Sequence, residues 1–107
     1  MIDPDMCPGP IRSQFASDEE MRELVRMFVD EMPARIAALR DAWDASHSKQ
    51  IESLAHQLKG AAAGYGFAIV GDAAAELESA LRSSEHDLSS VRAQFDALVD
   101  LCSRAAC

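Results

Sequence analysis

IESLAHQLKGAAAGYG, residues 51–66, reads as a helix with one apolar face. At about 100° per residue, Ile51, Leu54, Ala55, Leu58, Ala62 and Tyr65 gather within roughly 100° of arc, too narrow a stripe for the alternation of a strand. His56 sits about 140° to 150° from the centre of that arc and therefore points away from whatever the stripe packs on. Glu52, Ser53, Lys59, Gly60 and Ala63 adjoin it at spacings that place them on neighbouring turns. Glycine inside a helix costs about 1 kcal/mol relative to alanine, so Gly60, Gly64 and Gly66 imply a need for small residues. Gly64 and Gly66 suit a helix end and close packing. Gly60 lies opposite the apolar stripe, where packing within the chain gives it no reason.

The same periodicity extends in both directions. Met21, Leu24, Val25, Phe28, Met32, Ile36, Leu39 and Trp43 recur mostly at intervals of three or four, giving a long stripe that passes through Pro33. A proline inside a helix removes a hydrogen bond and clashes with the preceding turn, so the stripe predicts two collinear helices, near 18–31 and 32–45, or one bent helix. Ser17 with Glu20 reads as a capping box at its start. Further on, Val70, Ala73, Ala74, Leu77 and Leu81 mark a helix near 68–83, and Leu88, Val91, Phe95, Leu98 and Cys102 mark a last one. Helices of this kind, joined by short polar turns, bury their stripes only against each other. The expected fold is all-α: an antiparallel four-helix bundle, up-down-up-down, with an additional short or kinked N-terminal helix. Three prolines and a glycine make residues 1–14 an irregular leader, with the bundle domain at 15–107.

With 107 residues and 49% hydrophobic content, the chain supports one core and one domain. Ten Lys and Arg against 18 Asp and Glu give a net charge of -8, which repels phosphate backbones and anionic headgroups. Nucleic acid and membranes are therefore not expected partners. The absence of a long apolar run and of a basic N-terminus followed by an apolar core points to a cytoplasmic location. Cys7, Cys102 and Cys107 form no paired framework and, with His47, His56 and His86, no zinc-ligand spacing, so no metal site is expected. His47 and His86 fall in turns without organised neighbours. An acidic single bundle is expected to be a monomer.

Imidazole titrates near pH 6.5, so at neutral pH a ring nitrogen offers a lone pair to an electrophile. Lys59, one turn from His56, supplies a cation suited to the oxygens of a phosphoryl group, or is simply solvated. No phosphate-binding loop and no acidic metal cluster accompany the histidine. A nucleotide-binding domain would not fit in this length. If His56 handles phosphate, the donor and the metal ion belong to a partner.

His56-Gln57-Leu58-Lys59-Gly60, with Gly66 ten positions after the histidine and Leu77-Glu78 beyond, resembles the signature of histidine-containing phosphotransfer (HPt) domains. The stretch FVDEMPARIAALRDAW, residues 28–43, resembles the helices that precede that signature. The resemblance spans roughly residues 15–104. It implies that His56 is a phosphoacceptor serving the receiver domains of response regulators and a sensor or hybrid histidine kinase, with Mg2+ only in the receiver and no cofactor in this chain. Lys59 would be the stabilising cation and Gly60 the clearing that admits the receiver. Gly66 would be structural. Glu78 either helps hold the imidazole or is a solvated glutamate. Docking would use a rim of Glu52, Ser53, Gln57, Gly60, Ala63 and Gly64. Ala61 and Ala62 depart from the serines that family members often carry after the lysine and glycine. The competing reading is a helical adaptor that binds a signalling partner without phosphotransfer.

Overall fold

The computed structural model of the chain describes residues 11–15, 17–84 and 87–106. Four helices form a bundle: α1 (Glu19–Asp44), α2 (Ser48–Gly64), α3 (Ala68–Ser83) and α4 (Arg92–Ser103). Each packs on the next in sequence, and α4 returns to α1. The expected all-helical class holds, and α3 lies at the limits predicted for it, while α2 begins before the stretch read over 51–66 and ends at Gly64, ahead of Tyr65 and Gly66.

Of the alternatives left open by Pro33, two helices or one bent helix, α1 is a single helix. It runs uninterrupted through Pro33, so the helix expected at 32–45 is its C-terminal half, and no separate short helix precedes it among the described residues. Pro33 is exposed, while Val25, Phe28, Met32 and Leu39 are buried on either side of it, so burial carries the helix through despite the missing hydrogen bond. The cap is Asp18, not Ser17: its Oδ1 accepts from the Glu20 amide at 3.0 Å. The last helix also starts differently, with a 3₁₀ turn over Leu88–Val91 before α4. There Asp87 caps, accepting from the Ser89 amide and from the hydroxyls of Ser89 and Ser90.

The core is continuous, with Phe28, Leu39, Ile51, Leu58, Phe67, Leu77, Leu81 and Leu98 all fully buried. Phe28 lies 5.3 Å from the rings of both Tyr65 and Phe67, tying α1 to the turn between α2 and α3. Trp43 stacks on Phe95 at 4.3 Å, and the Arg92 guanidinium lies 5.5 Å from its ring centroid. Cys102 is buried, and desolvation pushes its thiol up to about 12, which leaves it un-ionised. Cys7, Cys107 and His86 lie outside the described residues.

Residues 11–15 close one end of the bundle. Ile11 and Arg12 pair in parallel with Ala105 and Ala106. Ser13 is buried; its hydroxyl donates to the Tyr65 carbonyl at 2.5 Å and accepts from the Phe15 amide. The Gln14 amide donates to the Gly66 carbonyl at 2.9 Å. Gly66 has φ of +85°, and a Cβ on it would lie 2.5 Å from Ser13 Oγ and 2.9 Å from the Phe15 ring. Only glycine fits both the backbone and the segment laid across it. No helix of the described residues is long and apolar enough to cross a membrane.

Candidate functional site

α2 and α3 share the most extensive helix contact in the molecule, and small residues bring them close. A Cβ on buried Gly71 of α3 would stand 3.4 Å from the Lys59 carbonyl and 3.7 Å from the Ala62 methyl of α2, so only a minimal side chain leaves this spacing undisturbed. The approach buries Glu78, which follows core residue Leu77 on α3 and is only 3% exposed.

A buried carboxylate is costly unless it is hydrogen-bonded and paired. Glu78 has three donors. Lys59 Nζ donates to Oε1 at 2.8 Å. His56 Nδ1 lies 2.7 Å from Oε2, and Arg82 Nη2 donates to the same oxygen at 3.1 Å. The Lys59 hydrogen bond is the main cause holding this carboxyl below its ordinary value, with His56 and Arg82 adding to it and burial opposing it. Arg82 Nε also donates to Glu52 Oε1 at 2.6 Å, so the network runs back to α2.

The network fixes the chemistry of the ring. An ionised carboxylate only accepts, so Nδ1 is the nitrogen that carries a proton here, and in the neutral form of the ring the lone pair falls on Nε2. The His56 side chain is 64% exposed. It stands over a shallow depression of about 300 Å³ lined by Lys49, Glu52, Ser53, His56, Glu78 and Arg82. The ring is thus oriented through one nitrogen and open to solvent on its other side.

Of the residues singled out in the sequence, Ser53, Gln57, Gly60, Ala63 and Gly64 are exposed on α2, and Glu52 is half-buried beneath Arg82. Added Cβ atoms at Gly60 and Gly64 would meet nothing within 4 Å. Lys59 is neither free nor merely solvated; it is ion-paired with Glu78. Glu78, left open between a holding role and plain solvation, is buried against the ring. Gly66 is not on this face and lies under the N-terminal segment. Sequence reasoning missed Arg82, whose only local signal is its place four residues after Glu78, and Gly71. His47 is exposed, immediately before α2, with no side-chain cap bond. Among the described residues, no group of three or more His, Cys, Asp or Glu side chains is placed to hold a metal ion.

Residues 23–106 match the family model of the Hpt domain. No curated protein and no solved structure matches the chain. Hpt domains act generally in histidine phosphotransfer within phosphorelays, as phosphocarriers. The match takes in most of α1 and all of α2, α3 and α4, including the histidine, its lysine and the carboxylate between them, and the chain belongs to the Hpt domain family.

Proposed function

We propose that this protein relays a phosphoryl group between aspartates of response-regulator receiver domains, carrying it on Nε2 of His56. The observation that carries the reading is the imidazole itself, exposed and held through Nδ1 by a buried carboxylate, so that its free nitrogen is the nucleophilic one. The Nε2 lone pair attacks phosphorus of an aspartyl phosphate, the N–P bond forms as the P–O bond breaks, and the aspartate leaves as a carboxylate. The ring keeps its Nδ1 proton and gains positive charge, which Glu78 stabilises from 2.7 Å. Onward transfer is the reverse step on a second receiver. Lys59 lies within reach of both Glu78 and the exposed face, and is the cation proposed to steady the phosphoryl oxygens.

Gly60 supports the reading from another side. Nothing in the chain crowds it, and a helix interior disfavours glycine, so its smallness serves a body outside the chain. The proposed docking rim is Glu52, Ser53, Gln57, Gly60, Ala63 and Gly64. In this scheme the protein is a carrier and not an enzyme: Mg2+ and the catalytic groups belong to the receiver, and a sensor or hybrid kinase feeds the relay in the cytoplasm. The short connections between helices suit the up-down-up-down antiparallel order.

Incubation with a phosphorylated receiver and Mg2+ tests this. Acid-labile, base-stable label is expected on the wild type and on His47→Gln, and none on His56→Gln. Label persisting on His56→Gln would end the assignment. A helical adaptor without phosphotransfer instead predicts that His56→Ala leaves downstream output unchanged.

A further inference from the structure

Glu78 Oε2 is shared by two donors that act against each other. His56 Nδ1 lies 2.7 Å from it and Arg82 Nη2 3.1 Å. Arg82 is 63% exposed, yet it is anchored from α2, because Glu52 Oε1 accepts from its Nε at 2.6 Å. A ring proton and a tethered guanidinium thus draw on one carboxylate oxygen.

This sharing bears on how the ring gives up a phosphoryl group. When the N–P bond breaks, its electron pair returns to Nε2 and phosphorus passes to an oxygen nucleophile, a carboxylate or water. With Nδ1 protonated, the leaving group is neutral imidazole. Without that proton it would be an imidazolate anion, a far poorer leaving group. The residence time of the phosphoryl group therefore follows the Nδ1 proton. A carboxylate hydrogen-bonded to Nδ1 favours the protonated ring, and a cation on the same oxygen disfavours it. A neutral amide in place of the carboxylate would hold the proton more weakly, since hydrogen bonds to ionised acceptors are roughly twice as strong as those between neutral groups.

We infer that Glu78 and Arg82, the latter fixed by Glu52, are opposed positioning residues that set the lifetime of a phosphoryl group on His56, Glu78 shortening it and Arg82 lengthening it. This rests on the phosphocarrier reading of His56. The charged groups facing the ring are Lys49, Glu52 and Lys59 from α2 and Glu78 and Arg82 from α3; among the described residues, neither α1 nor α4 adds one to this depression. Lys59 occupies the other oxygen of Glu78 and helps keep the carboxyl ionised while the ring proton titrates.

Phosphoramidate phosphorylates histidine directly, so it loads the ring without a partner, and phosphorus NMR follows the phosphate on His56 from about pH 5 to 9, the range spanning imidazole titration. Glu78→Gln is expected to move the midpoint of the hydrolysis profile to lower pH. At a pH above both midpoints, the half-life should lengthen about tenfold for each unit moved, because the protonated fraction falls in that proportion. Arg82→Gln is expected to move the midpoint the opposite way and shorten the half-life. Unchanged midpoints, or two shifts in the same direction, overturn the inference; loosened packing alone gives no such opposition. If Glu78→Gln does not fold, Arg82→Gln decides alone, and an unchanged or lowered midpoint overturns the inference. A wild type that loads from phosphoramidate but takes no label from a phosphorylated receiver refutes the relay and leaves the lifetime comparison intact.

Discussion

Gly60 turns its bare α-carbon to open space on the face that carries His56. Gly60→Gln should therefore strengthen α2, by about 0.5 kcal/mol from helix propensity, with no internal clash to offset it. The same side chain would stand in the path of a docking receiver. The expected result is a slightly higher Tm by circular dichroism together with a slower transfer rate; a wild-type rate would refute the steric role while leaving the histidine untouched. The outward position of His56 is legible because the α2 stripe is narrow: Ile51, Ala55, Leu58 and Ala62 are all buried, and the opposite angle follows. Its partner is less legible. Glu78 stands 22 residues away, and no local pattern separates a glutamate under a ring from one in water. Arg82 is hidden further, since a Glu and an Arg four apart on a helix usually form an ordinary surface pair.

At the scale of elements, the turn between α2 and α3 decides how the N-terminal segment is held. Gly66 is left-handed and lies under Ser13, Gln14 and Phe15, so Gly66→Ala faces both a backbone cost of about 1 to 2 kcal/mol and the displacement of that segment. A loss of about 2 kcal/mol or more in urea unfolding is expected, with faster proteolysis at residues 11–15. A loss below about 0.5 kcal/mol, within the range of ordinary surface substitutions, would mean that the segment adds little to the fold. The stripes of α2 and α3 announce their limits because glycine and polar residues flank them. α1 does not announce its continuity. Pro33 signals a break locally, and only burial of Met32 and Leu39 on either side, a tertiary effect, overrides it. The cap falls one residue later than the capping-box pattern indicates for a related reason: Ser17 and Asp18 are both good caps, and the choice depends on where the preceding chain enters, with the Asp18 amide donating to the Phe15 carbonyl.

Over the whole molecule, charge and exposed apolar surface bear on association. Leu24, Met27 and Ile69 are the large hydrophobic side chains exposed among the described residues, at 42%, 54% and 57%. Leu24 and Met27 lie on α1 among exposed Glu20, Glu23, Arg26 and Asp30, and Ile69 is on α3. Three partly covered side chains fall well short of the roughly 800 Å² per partner that a stable interface buries. Bringing two such bodies together would also oppose two net charges of -8, a repulsion strongest at low ionic strength. Sedimentation equilibrium at neutral pH should accordingly give the monomer mass of 11.6 kDa, unchanged as protein concentration rises and as salt is added to screen the repulsion. A mass that climbs toward the dimer with salt would mean that charge alone keeps an apolar contact apart, and Leu24→Glu would then be the variant to abolish it.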